Sequence, residues 1–192
     1  VMDAATDAIR RMIEGEILED EKGSDGELSV YFTMIGKKTA SLYALACQVG
    51  AILGGGSSEE IDALSSFGSD MGMAFQITDD LLDFIGDEES LGKPVGNDIR
   101  EKKLTLPIIQ ALRNCQNGEG EQILQKVQMG VESNDDWLDV RSFVERYGGI
   151  GLAREEALNY ARSAEASLDT IGPSEASEAL KVAIPLLVDR QR

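Results

Sequence analysis

The chain has 192 residues, enough for one domain with a sizeable core. Its hydrophobic content of 42% and charged content of 28% place it among globular chains, and a formal net charge of −17 argues against a nucleic-acid partner, which calls for a basic patch. It has no histidine, so imidazole catalysis and histidine metal ligation are excluded, and no apolar run approaches the ~20 residues of a membrane span.

In chain order, residues 2–20 read as a first helix, with Ile9, Met12, Ile13 and Ile17 at helical spacing and Arg10 and Arg11 on its exposed face. A turn cluster follows around Gly23 and Gly26. A second helix covers 29–53, stopped by Gly54, Gly55 and Gly56; it is apolar nearly all round and is expected to be central. A lysine such as Lys38 inside it would, taken alone, be read as snorkelling to the surface. Ser57 and Glu60 form a capping box that opens a third helix running to Ile85, roughly 40 Å at 1.5 Å per residue. Beyond Gly86 a turn-rich segment leads to helices over 105–114, 119–129, 135–147, 151–170 and 174–189, the last kinked at Pro185. No stretch alternates with period two, so the expected class is all-α. Cys47 and Cys115 lie in apolar helical contexts without metal-ligand spacing. With no secretory leader read, buried free thiols in a reducing cytoplasm are expected, a disulfide between them staying open.

The third helix ends in two chemically opposed faces. At about 100° per residue, Gln76, Asp79, Asp80 and Asp83 fall within roughly 100° of one another, while Phe75, Ile77, Leu81, Leu82, Phe84 and Ile85 cover the other side. Three carboxylates are thus expected to point into one volume. Such like-charge pairs cost a few tenths of a kcal/mol each on a lone helix, and a cation should offset them. Mg²⁺ is the natural candidate, because it takes hard oxygens and is usually held by one or two carboxylates plus substrate phosphates. Downstream, Lys93, Arg100, Lys102 and Lys103 are placed to take the far oxygens of such a phosphate. The competing reading is a solvated helix face. Against it, the same face carries Gly72 and Ser69, small residues that suit a cleft wall, and Gly68 and Gly72 leave room for a substrate or another helix. Asp135, Asp136 and Asp139 repeat the aspartate spacing, but acids there suit a helix N-terminus, with Asn134 or Asp135 as the cap.

The run TDDLLDF (78–84), followed in order by GKP (92–94), NDIRE (97–101) and LTLP (104–107), resembles the second aspartate-rich motif of the trans-isoprenyl diphosphate synthases, the polyprenyl synthetase family, and is most like its longer-chain bacterial-type branch. Lys38-Thr39-Ala40 resembles that family's KTA element, and Gly15-Glu16-Ile17 an element of a helix entering the cleft. The resemblance covers most of the chain.

It implies a helical bundle of the isoprenoid synthase type, here one domain over 1–192 that matches the C-terminal portion of the family. By resemblance Asp79 is the direct Mg²⁺ ligand, with Asp80 and Asp83 as ligands or water-bridged partners. Lys38, Lys93 and Lys103 are diphosphate contacts, Lys102 competing with Lys103. Thr39 lies along the isoprenoid cleft, Gln76 near the reacting carbons, and Asp98 orients the loop or a metal-bound water. The implied reaction is Mg²⁺-dependent condensation of isopentenyl diphosphate with an allylic prenyl diphosphate, in a cytoplasmic homodimer or heteromer. The family's first aspartate-rich motif and its arginine pair have no counterpart in these 192 residues. The chain alone is therefore expected to be inactive. A truncated synthase, one half of a split enzyme and a non-catalytic or complementing subunit of a heteromeric synthase remain as accounts, beside a class I terpene cyclase relative, whose Asn/Ser/Glu metal motif is not visible, and an acidic helical scaffold without ligand.

Overall fold

Residues 1–86 and 95–188 of a computed structural model are described here. They form α1 (Met2–Lys22), α2 (Leu28–Ile35), a π-helical stretch (Gly36–Ala40), α3 (Ser41–Leu53), α4 (Ser58–Ile85), α5 (Asn97–Arg100), α6 (Leu106–Asn114), α7 (Glu119–Met129), α8 (Asn134–Arg146), α9 (Gly149–Asp169) and α10 (Glu175–Val188). Among the described residues there is no strand, so the class is all-α. None of their helices is long and apolar enough to cross a membrane.

α4 is the axis of the bundle. Its start is fixed by the expected capping box: Glu60 N–H donates to the Ser57 hydroxyl at 3.2 Å, and Ser57 N–H to the Glu60 carboxylate at 2.7 Å. Its second half is buried on nearly every face, from Phe67 to Phe84, because it is packed between α3 and α9. On the α9 side the close approach comes from a stripe of buried alanines, Ala153, Ala157, Ala161 and Ala164. On the α3 side it comes from the two glycines: a Cβ on Gly72 would lie 2.6 Å from Ala40 Cα, and one on Gly68 2.5 Å from the Tyr43 carbonyl oxygen. This corrects the expectation of a cleft wall at Gly72. The small residues there admit a helix backbone.

The single helix expected over 29–53 is continuous in direction but contains the π-helical turn at Gly36–Ala40, the segment that carries Lys37, Lys38 and Thr39. Such a turn widens the backbone and leaves a carbonyl off the regular ladder. The Ser41 hydroxyl donates to the Lys37 carbonyl at 2.6 Å. α1 crosses this turn at Gly15, where a Cβ would lie 2.6 Å from the Lys38 backbone nitrogen.

The remaining helices complete the core around Phe84, Ile99, Trp137, Val140 and Phe143. The repeated aspartates of α8 belong to this scaffold: Trp137 is buried and packs on Phe84 with ring centroids 5.4 Å apart, while Asp136 and Asp139 both accept from Lys126 on α7. The cap of α8 is Ser133, whose hydroxyl accepts from Asp136 N–H at 3.1 Å, one residue earlier than expected. α10 runs through Pro185 to Val188. Both cysteines are free thiols, half-buried rather than buried. Arg10 is exposed and ion-paired with Asp7 and Glu14 along α1.

Candidate active site

A cleft of about 220 Å³ opens between the C-terminal half of α1, the π-helical turn, α4 and the segment between α5 and α6. One wall is acidic. Gln76, Asp79 and Asp80 line it from α4, and Asp98 from α5. The other is basic, with Lys38 from the π-helical turn and Lys103 from the loop before α6. Thr39, Met34, Ile35 and Leu104 supply the less polar surface between them.

The basic wall is held together by a residue the sequence reading did not single out. Glu19 lies one turn beyond Gly15 on α1, so the same close crossing brings it over the π-helical turn. Its Oε2 accepts from Lys38 Nζ at 2.7 Å and lies 3.5 Å from Lys103 Nζ, with its side chain 14% exposed. Lys38 also pairs with Glu16 at 3.0 Å, and Lys103 with Glu101 at 2.9 Å. Burial works against both ammonium charges, but these carboxylates outweigh it and hold both lysines above their ordinary pKa. The adjacent Lys37 turns instead to Glu14 at 2.9 Å. Lys102 has the left-handed backbone, φ 64°, that ends α5. That turn delivers Lys103, not Lys102, into the cleft, and Lys103 N–H donates to the Asp98 carbonyl at 2.8 Å. Lys93 lies outside the described residues.

On the acidic wall the three carboxylates have different surroundings. Asp79 lines the cleft. Asp80 is 4% exposed, and both of its oxygens take donors: Gln76 Nε2 gives a hydrogen bond to Oδ1 at 2.9 Å, and Tyr31 Oη to Oδ2 at 2.6 Å. Gln76 in turn accepts from the Thr39 hydroxyl at 2.8 Å. Burial pushes Asp80 up to about 8, against the pull of those two donors and with the charges of Asp98 and Asp79 adding to it. Asp83 departs from the expected shared volume. Its carboxylate accepts from Asn97 N–H at 3.1 Å and Asp98 N–H at 3.2 Å, and its carbonyl from Gly96 N–H at 2.9 Å, so it fastens the start of α5 to the end of α4. Asp98 is raised to about 6 by burial and by Asp83, against Lys103.

Thr105 also lines the cleft, and its buried hydroxyl has no partner among the described residues. It is the N-cap of α6 without a side-chain capping bond. Pro107, at the second helical position, lacks one of the amides such a cap serves. The sequence reading took Thr105 only as a helix start.

The donor set suits Mg²⁺: hard carboxylate and amide oxygens on one wall and anion-binding ammonium groups on the other. Among the described residues no three carboxylates or thiols are gathered closely enough to hold a metal by themselves. An ion that completes its shell with phosphate oxygens and water fits such a site.

The polyprenyl synthetase family profile matches residues 1–144. The chain belongs to the polyprenyl synthetase family. It is 40% identical over 189 residues to a short chain isoprenyl diphosphate synthase of Methanothermobacter thermautotrophicus, covering 96% of this chain and 57% of that protein. It is 45% identical over 101 residues to heptaprenyl diphosphate synthase component 2 of Bacillus subtilis, covering 53% of this chain and 29% of the relative. Among solved structures, a polyprenyl synthase of Caulobacter crescentus complexed with calcium and isoprenyl diphosphate superposes with a TM-score of 0.93 at 31% identity, over all of this chain and 59% of that one. This polyprenyl synthetase chain therefore spans less than three fifths of the length of these relatives.

Proposed function

We propose that the cleft is the diphosphate-binding, Mg²⁺-dependent half of a prenyl diphosphate synthase active site, serving the condensation of isopentenyl diphosphate with an allylic prenyl diphosphate. The observation that carries this is Glu19. Its carboxylate lies between the ammonium groups of Lys38 and Lys103, so an anionic oxygen there is shared by two cations, in the cleft that Asp79 and Asp80 also line. A diphosphate oxygen offers the same chemistry with more charge.

In this reading Lys38 and Lys103 bind phosphate oxygens, with Lys93 as a third contact. Asp79 is the direct ligand of Mg²⁺. Asp80, with both oxygens already engaged, and Asp83, engaged with α5, support it. Mg²⁺, when bound, stabilises charge on the leaving diphosphate. Thr39 and Gln76 hold each other across the cleft beside Met34 and Ile35, where an isoprenoid chain would lie away from water. A mechanism of this kind needs charge stabilisation and an apolar channel more than a side-chain base, which suits a chain without histidine.

Calorimetry with an allylic prenyl diphosphate tests the reading. Binding heat should appear with Mg²⁺ and vanish in EDTA, because neither the carboxylates nor the lysines neutralise their partner alone. Equal binding in EDTA would overturn it. A second reading, a complementing subunit of a heteromeric synthase, is favoured by the likeness to a protein named as component 2 of a heptaprenyl diphosphate synthase. Turnover on adding the missing portion separates it from a self-sufficient enzyme.

A further inference from the structure

Among the described residues, Tyr31 is the one donor to Asp80 that does not come from α4 itself. It lies on α2, 2% exposed, with its ring edge against Phe32 at a centroid separation of 5.4 Å, and its hydroxyl reaches 49 residues along the chain to Asp80 Oδ2 at 2.6 Å. Without that hydroxyl, Asp80 Oδ2 would be left in a buried position with its donor removed, and the Gln76 amide at Oδ1 alone would orient the carboxylate. With it, a chain of hydrogen bonds runs from Thr39 through Gln76 to Asp80 and is closed by Tyr31. Three elements of the cleft are tied into one orientation, and each link has a defined direction. The Gln76 carbonyl is committed to Thr39, so its amide must face Asp80.

We infer that Tyr31 is a positioning residue for the acidic wall: its buried hydroxyl locks the Asp80 carboxylate, and through Gln76 the Thr39 side chain, in the arrangement that receives Mg²⁺ and diphosphate. The inference deepens the function proposed above and rests on it. Tyr31 does not line the cleft; it acts through Asp80.

Tyr31→Phe keeps the ring and removes only the donor. Calorimetric titration of inorganic diphosphate at a series of Mg²⁺ concentrations should show the Mg²⁺ needed for half-maximal binding rising about tenfold, while affinity at saturating Mg²⁺ changes little. A purely structural role would lower the melting temperature and leave that Mg²⁺ dependence alone. In Tyr31→Phe/Asp80→Asn the two effects should not add, since both act on one group. Should the Phe variant fail to fold, fluorotyrosine-labelled wild-type protein supplies the readout. Of its 4 tyrosines, the fluorine signal of Tyr31 should move on adding Mg²⁺ with diphosphate, and that of Tyr147, far from the cleft, should not. A wild type that binds, together with an unshifted Mg²⁺ dependence, a fully additive double variant or a static Tyr31 signal, overturns the inference alone. A wild type with no Mg²⁺-dependent diphosphate binding overturns the reading of the site and the inference with it.

Discussion

At the residue scale, burial rather than charge count separates the aspartates of α4. Asp80 sits at about 8, far above the ordinary carboxyl value near 3.9. Between those values the folded chain holds a proton that the unfolded chain has released. Metal-free stability should therefore fall as pH rises from about 4 to about 8, by at most about 1.4 kcal/mol per pH unit from this group, with Asp98 adding in the same direction up to about 6. Thermal melts in EDTA across that range check this, and Asp80→Asn should flatten the trend. Asp79 lines the cleft, and Asp79→Asn relieves its repulsion of Asp80 and Asp98. Mg²⁺-dependent diphosphate binding should fall by about 10- to 100-fold, roughly 1.4 to 2.8 kcal/mol. Asp136→Asn should leave that binding alone, because Asp136 is engaged by Lys126 and Ser133 on another face of the molecule. Equal losses in the two variants would mean that the second aspartate cluster had been wrongly set aside.

At the element scale, the site depends on how closely α1 crosses the π-helical turn. Gly15 makes that crossing possible, and the crossing places Glu19 between Lys38 and Lys103. Gly15→Ala puts a methyl group against backbone atoms of Lys38, which cannot swing away as a side-chain tip can. It should cost about 1 to 3 kcal/mol of stability and weaken diphosphate binding through Lys38, although Gly15 itself touches no ligand. Chemical denaturation together with the calorimetric titration measures both. A variant as stable as wild type with displaced diphosphate affinity would still place the effect at the crossing; one unchanged in both would remove α1 from the account of the site.

At the scale of the whole molecule, α1 carries an apolar stripe that the described residues leave uncovered: Ile9 is 57%, Ile13 56% and Ile17 51% exposed. Leu42 and Leu53 on α3 are 48% and 76% exposed. Monomeric proteins rarely leave such faces open. Light scattering should accordingly find the purified chain self-associated, or made monodisperse by a partner covering α1. In the reading proposed above, the aspartate-rich motif supplies metal ligands on one side of a leaving diphosphate, so the chain should bind substrate without turning it over. Condensation of isopentenyl diphosphate with an allylic primer should appear when the remaining portion of a family synthase is added as a separate polypeptide. Robust turnover by the 192-residue chain alone would overturn the half-site argument.

The sequence by itself determined the helical class, most helix limits to within a residue or two and the capping box at Ser57, and through the family resemblance it named Lys38, Thr39, Gln76, Asp79, Asp80 and Lys103, which line one cleft. The first three follow from short-range chemistry, a period of 3.6 residues and cap spacings, while the cleft residues follow from the resemblance carried by the run over 78–107 and by Lys38-Thr39-Ala40. What only the tertiary structure decided are the pairings between segments far apart in sequence. A helical period places Asp83 beside Asp79, but whether it meets a cleft or the backbone amides of Asn97 and Asp98 depends on where the chain returns. Nothing near Glu19 or Tyr31 in sequence marks them as site residues, because the partners that make them so, Lys103 and Asp80, lie across the bundle. Lys102 and Lys103 are chemically alike, and the left-handed turn at Lys102 chooses between them. The glycines of α4 read as space for a substrate or for another helix, and it is a neighbouring helix backbone that fills the space, since a missing Cβ records close approach without recording what approaches.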